Sequence, residues 1–223
     1  MNEIVPSESH EERYAAPFAK VTAFVTRLGE HERELLVFRH PSAGVQLPAG
    51  SVEIAEAPDT AVLREVTEET GLTNVVIAAR LGARAYPLPD AGRILARPAV
   101  LLFAPDGAEN TTLRCGLTLH ETRRTGIHSH VEFREYELQD GKLKIAAILA
   151  SGWLASIDLS ASVERHFYHI ELTGPAPDKW TWFAEGEHNF QCYWVPLSED
   201  PGLVSGQDQW LNGYIDQLRA HEE

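Results

Sequence analysis

Between Gly50 and Leu72 the chain reads GSVEIAEAPDTAVLREVTEETGL, and Glu65, Glu68 and Glu69 stand at i, i+3 and i+4 within it. At that spacing side chains share one side of a helix, so the carboxylates converge. Crowded like charges of this kind cost roughly 0.2–0.5 kcal/mol per pair. A divalent cation turns the repulsion into coordination, and hard oxygen ligands select Mg²⁺ or Mn²⁺. Arg64 can pair with Glu68 one turn on or reach back to Glu56, which would hold the carboxylates in place. Gly50 follows Leu47-Pro48-Ala49 and allows close backbone approach, so the Ala49 carbonyl could also bind metal. Metal held there would bridge a diphosphate, neutralise the leaving phosphate and lower the pKa of a bound water. The competing reading is an amphipathic helix with a solvated acidic face.

The fixed residues are Gly50, Glu56, Arg64, Glu65, Val66, Glu68, Glu69, Gly71 and Leu72. Together they resemble a complete Nudix box, G-x5-E-x7-R-E-U-x-E-E-x-G-U with U aliphatic. At background residue frequencies a chance match over the chain is on the order of 10⁻⁶. In the resembling family the REUxEE glutamates and the carbonyl before the box glycine bind the metals. Carried over, this assigns Glu65, Glu68, Glu69 and Ala49 to metal, with Glu56 and Arg64 as supports or outer ligands. The family's general base is sometimes the box residue, here Glu65, and sometimes lies on a later loop. The loop expected between the last two strands carries Glu185 and Glu187. The catalytic expectation is therefore Glu65, Glu69, Arg64 and Glu187.

Beyond the box, ADP-ribose pyrophosphatases carry a proline about 15 residues on, and Pro87 stands 15 residues after Leu72. The resemblance thus favours ADP-ribose or a related nucleoside diphosphate sugar. Tyr86 could stack a base. Arg80 and Arg84, expected on one strand face, could clamp a diphosphate bidentately or simply face outward. His120, His128 and His130 tempt a metal reading, but no carboxylate or cysteine completes a set. Trp180, Trp182 and Trp194 read as core or rim residues.

These groups need elements to position them. Alternation predicts strands over 18–28, 34–39 and 74–86, the first two joined as a hairpin. Residues 59–70 read as a helix stopped by Gly71, with Val62, Leu63, Val66 and Thr70 on the face that packs on a sheet. Residues 165–172 and 189–195 read as closing strands and 207–220 as a final helix. Between 98 and 163 short β-rich pieces (99–103, 131–138, 142–149) suggest an insert, in outline a small SH3-like barrel. The domain reading is a disordered leader over 1–16, a catalytic domain over 17–97 and 164–223, and the insert over 98–163. The fold expected is an α/β/α sandwich around a mixed β-sheet.

Composition narrows the partners. The chain has 223 residues, 33 Asp plus Glu against 19 Lys plus Arg, and a formal charge of −14. Such a surface repels nucleic acid and anionic lipid at long range. An anionic substrate then needs a metal ion or a local basic patch. Cys115 and Cys192 form neither a zinc spacing nor a disulfide framework, which fits a reducing compartment. The start of the chain lacks a signal peptide's apolar run, and a cytoplasmic protein is expected. A small nucleotide-type molecule is the partner expected, with a second copy of the chain as a further candidate. The main functional expectation is metal-dependent hydrolysis of a phosphoanhydride in a nucleoside diphosphate derivative. A non-catalytic nucleotide sensor with the insert as its interaction module is the alternative. A prenyl diphosphate isomerase is a third reading, but no Cys and Glu pair supports it.

Overall fold

The computed structural model describes residues 14–139, 142–184, 188–204 and 206–220. In chain order the elements begin with β1 (Phe18–Leu28), β2 (Arg33–His40), β3 (Gly44–Gln46), β4 (Ala49–Ser51), α1 (Pro58–Thr70) and β5 (Val75–Pro87). Next come β6 (Gly92–Leu95), β7 (Ala99–Leu102), β8 (Glu109–Leu113), β9 (Thr118–Thr125), β10 (His128–Gln139) and β11 (Lys142–Ala155). The last are β12 (Leu159–Ser160), β13 (Ser162–Leu172), β14 (Lys179–Ala184), β15 (His188–Pro196) and α2 (Gln207–Ala220). They divide into two compact units: a box unit of Ala19–Arg84 and the chain from Arg165 on, and a β unit of the residues up to Phe18 with Ala85–Glu164.

The box unit rests on an eight-stranded sheet in the order β14-β15-β2-β1-β13-β5, with β3 on β2 and β4 on β1. The strand period of two sends alternate side chains to opposite faces. Val21, Ala23, Val25, Leu36, Phe38, Tyr168, Ile170, Phe190 and Cys192 therefore bury one face against Ala61, Val62 and Val66 of α1. Phe24, Leu35, Val37, Phe167 and Val195 bury the other against Leu211, Tyr214 and Leu218 of α2. The result is an α/β/α layering.

Local chemistry bounds α1 at both ends. Pro58 opens it and Asp59 lies in its first turn. A proline there loses no hydrogen bond, and a carboxylate complements the helix N-terminus. Gly71 closes it in the left-handed conformation, φ 77°, its N–H donating to the Thr67 carbonyl. The expected buried face holds, with Val62, Val66 and Thr70 buried and Leu63 partly so.

The β unit is a seven-stranded sheet in the order β12-β6-β9-β10-β11-β7-β8. Leu95, Leu101, Leu119, Val131, Leu154 and Leu159 form its core. Three expectations are corrected here. The sheet ends at β12 and β8 and does not close into an SH3-like barrel among the described residues. The unit starts near Ala85 rather than at 98, because β6 pairs with both β9 and β12. The end of the supposed leader is built in: Ala15 donates its N–H to the Leu159 carbonyl, and the Tyr14 ring lies between Arg93 and Arg124, 4.6 and 4.1 Å from their guanidinium carbons. Residues 1–13 lie outside the described residues. No helix among the described residues is long and apolar enough to cross a membrane.

Glu121 ties that segment down. It accepts hydrogen bonds from the Tyr14 hydroxyl and the Ser129 hydroxyl, each at 2.6 Å, and pairs with Arg93 and Arg124. Burial alone would raise its pKa, but the Ser129 and Tyr14 hydrogen bonds and the two guanidinium charges hold it below the ordinary 4.5. A depressed carboxyl stabilises fully above its unfolded pKa and loses that contribution as pH falls through the folded value. Replacing Glu121 by Gln should therefore lower the urea midpoint by a constant amount above about pH 4.5, and the gap to wild type should close below it. A gap that widens on acidification would contradict the assignment.

Candidate active site

The box residues meet where β4 faces α1. Val21 is registered with Gly50 and Thr22 with Ala49, while the Ala23 N–H donates to the Pro48 carbonyl and the Val52 N–H to the Ala19 carbonyl. Antiparallel ladders alternate, so the N–H and C=O of Ala49 both point away from β1. The N–H is taken by Glu69 Oε2 at 2.8 Å, and Glu69 is buried. Gly50 is glycine for a steric reason. A Cβ there would lie 2.0 Å from the Glu65 carboxylate carbon, so that carboxylate occupies the space a side chain would fill.

Arg64 gathers the remaining carboxylates. Its Nε and Nη2 bind the two oxygens of Glu56 at 2.9 and 3.0 Å. Its Nη1 donates to Glu65 Oε1 at 2.9 Å and Glu68 Oε2 at 2.8 Å, and Nη2 also reaches the Ser51 carbonyl. Both pairings expected for Arg64 are thus present at once. Glu56 in turn accepts the Glu53 N–H. The arrangement pushes the two flanking carboxyls apart. The hydrogen bonds from Arg64 hold Glu56 below its usual range, whereas burial pushes Glu65 up despite the same guanidinium.

The donor set suits a hard divalent cation. Every candidate ligand atom is oxygen, and the Ala49 carbonyl is outside the sheet ladder. That Glu65 and Glu68 share the single Nη1 group shows that their carboxylates converge on one cationic point. Among the described residues no group of three or more His, Cys, Asp or Glu is gathered as a ready-made metal cluster. Here the box carboxylates are turned to Arg64 and to the Ala49 N–H.

Residues beyond the box depart from expectation. Arg80 and Arg84 do not work one strand face. Arg80 pairs with Asp59 of α1, whereas the Arg84 guanidinium lies 5.9 and 5.3 Å from the ring centres of Phe167 and Tyr214 on the α2 side. The alternation of β5 is interrupted: Val75 and Ile77 pack on the α1 side and Leu81 on the α2 side, and Gly82 has φ 148°. Tyr86 and Pro87 are exposed and fall in the β unit. Glu185 and Glu187 lie outside the described residues. His130 shares hydrogen bonds with Thr122 and Ser151.

Several residues at the site were not foreseen as such. Asp59 also accepts the hydroxyl hydrogen of the buried Tyr168 at 2.9 Å. Trp180 and Trp182, on β14 in what reads from sequence as a loop, donate their indole N–H groups to α1 carbonyls. Their i, i+2 spacing was the available signal.

The NUDIX domain family model matches residues 18–114. That stretch, which holds the whole box, is thus similar to a Nudix domain. The match ends just after β8, so β13 to β15 belong with the box through the shared sheet, and α2 through its packing on that sheet, rather than through the family model. No curated protein shows significant sequence similarity to the chain. Among solved structures, a C. elegans Ap4A hydrolase is 10% identical with TM-score 0.42, over 92% of this chain and 97% of that one. A binary complex of a C. elegans Ap4A hydrolase is 12% identical with TM-score 0.44, over 91% and 96%. A UDP-X diphosphatase is 15% identical with TM-score 0.38, over 95% of this chain and 66% of that one. Likenesses this loose carry neither fold detail nor substrate across.

The glycine at 50 offers a direct check. Gly50→Ala must push the Glu65 carboxylate off its seat and break its bond to Arg64. The expected loss is about 1–3 kcal/mol of unfolding free energy, as for other overpacked sites, measured by urea denaturation. A loss under about 0.5 kcal/mol, the scale of an ordinary surface change, would show that the close approach is not a constraint.

Proposed function

We propose that the chain is a metal-dependent diphosphohydrolase that cleaves a phosphoanhydride in a nucleoside diphosphate derivative, giving a nucleoside monophosphate and a phosphorylated remainder. The observation that carries this is the seating of Glu65 over Gly50 and Glu69 on Ala49, with Arg64 drawing in Glu56 and Glu68. Glu65, Glu68, Glu69 and the Ala49 carbonyl would hold Mg²⁺ or Mn²⁺, with Glu56 an outer ligand or support. The ion supplies charge neutralisation on the diphosphate and an acidified water.

The chain's own residues do the rest. Arg64 gathers three carboxylates at one guanidinium, and Glu65 and Glu68 would turn from it to take up the ion. Glu65, whose carboxyl is pushed up by burial, suits acceptance of a proton from the attacking water. Glu187 or Glu185 is the other candidate base. ADP-ribose, or another nucleotide sugar, is the substrate class favoured by the position of Pro87. Arg80, exposed and held by one carboxylate, is available to an anionic substrate, whereas a joint clamp with Arg84 is not.

Two measurements test the reading. Glu69→Gln keeps an oxygen for the Ala49 N–H but removes a negative ligand. It should fold and lose about a hundredfold or more in turnover, as when one transition-state stabiliser is deleted. Undiminished Mg²⁺-dependent hydrolysis by this variant would sink the ligand assignment. A panel of nucleoside diphosphate compounds should show preference for ADP-ribose or a nucleotide sugar. Clear preference for dinucleoside polyphosphates or nucleoside triphosphates would overturn the substrate class.

A further inference from the structure

The turn that bears Glu68 and Glu69 is the last of α1, and a helix end leaves its final four carbonyls without helical partners. In this chain each of them is met. The Thr67 carbonyl receives the Gly71 N–H at 2.9 Å. The Glu68 carbonyl receives the Trp182 indole N–H at 2.9 Å, and the Thr70 carbonyl receives that of Trp180 at 2.7 Å. The Cys192 thiol lies 3.9 Å from the Glu69 carbonyl. Trp180 is registered with Cys192 across β14 and β15, and Trp182 stands two residues on, so one face of this strand pair supplies all three side-chain donors.

Trp182 differs from the other two. Trp180 and Cys192 pack with the main core, whereas Trp182 is 38% exposed and stands outside it. Its ring instead covers Gly71, where a Cβ would come within 2.6 Å of it. The box glycine is thus required twice, by φ 77° and by the indole above it. We infer that Trp182 is a positioning residue for the metal site, holding the turn that bears Glu68 and Glu69 by its N–H on the Glu68 carbonyl and its ring on Gly71. This rests on the metal reading proposed above. Without the donor the Glu68 carbonyl turns to water and the last turn frays. Two carboxylates then lose their fixed positions, at little cost to the core.

Mn²⁺ titration followed by electron paramagnetic resonance, on the full chain, compares wild type, Trp182→Phe and Glu69→Gln. Trp182→Phe should bind Mn²⁺ about five-fold more weakly, the worth of one net hydrogen bond, at a melting temperature close to wild type. In wild type the Trp182 indole N–H resonance should move on Mg²⁺ addition, and amide exchange at Thr70 and Gly71 should quicken in the variant. If Trp182→Phe does not fold, Trp182→Tyr, which also lacks the indole donor, takes its place. Unchanged Mn²⁺ affinity in the variant, with or without a lower melting temperature, overturns the inference and leaves the metal site standing. Failure of wild type to bind Mn²⁺ at a site that Glu69→Gln removes overturns both.

Discussion

A guanidinium has five N–H donors in a fixed plane, and Arg64 spends all of them inside the box. One from Nε and one from Nη2 go to Glu56, two from Nη1 to Glu65 and Glu68, and the last from Nη2 to the Ser51 carbonyl. The carboxylates hold the guanidinium charge more firmly than in a free arginine. A lysine could not substitute, since a point charge with three donors has neither the reach nor the plane for this set. Without that cation Glu56, Glu65 and Glu68 would face one another across one turn and a loop.

The rest of the box unit is arranged around this meeting. Ser51 belongs to β4, which pairs with β1, so the guanidinium fastens the helix to the strand that runs through the middle of the sheet. Glu69 adds a second fastening at Ala49. The polar side of α1 is thus docked on backbone groups, while Ala61, Val62 and Val66 dock its apolar side on the sheet core. Burial of the apolar side supplies the driving force. The polar side supplies register, because each hydrogen bond has one partner at one distance.

How much of this could be read from sequence depended on whether the cause was local. Helix α1 and the central strands follow from periodicity, and the spacing of Glu65, Glu68 and Glu69 fixes which side of the helix they share. Their partners are another matter, because the N–H that Glu69 meets lies twenty residues earlier on a three-residue strand too short to show a pattern. The shared strand face of Arg80 and Arg84 does not hold because parity assumes an unbroken strand, and β5 changes faces before Leu81 and again about Gly82. Strand β14 follows Gly174-Pro175-Ala176-Pro177-Asp178, whose two prolines read as loop, although Trp180 and Trp182 alternate just beyond it. The built-in end of the leader depends on Glu121, more than a hundred residues away, and no local pattern reports such a contact.

The same guanidinium also separates the roles of two carboxylates. Glu56 is hydrogen-bonded through both oxygens and held ionised, which suits an anchor. Glu65 receives only one bond from Arg64, at Oε1, and is buried over Gly50, so its proton affinity rises instead. Groups whose surroundings drive their pKa values apart are the usual way one site holds a fixed charge and a proton acceptor together. On the proposed reading the division has a structural origin in Gly50. Removing a single Cβ lets Glu65 sink against the strand and lose water, and that desolvation, with the negative charges of Glu68 and Glu56 behind it, raises its affinity for a proton.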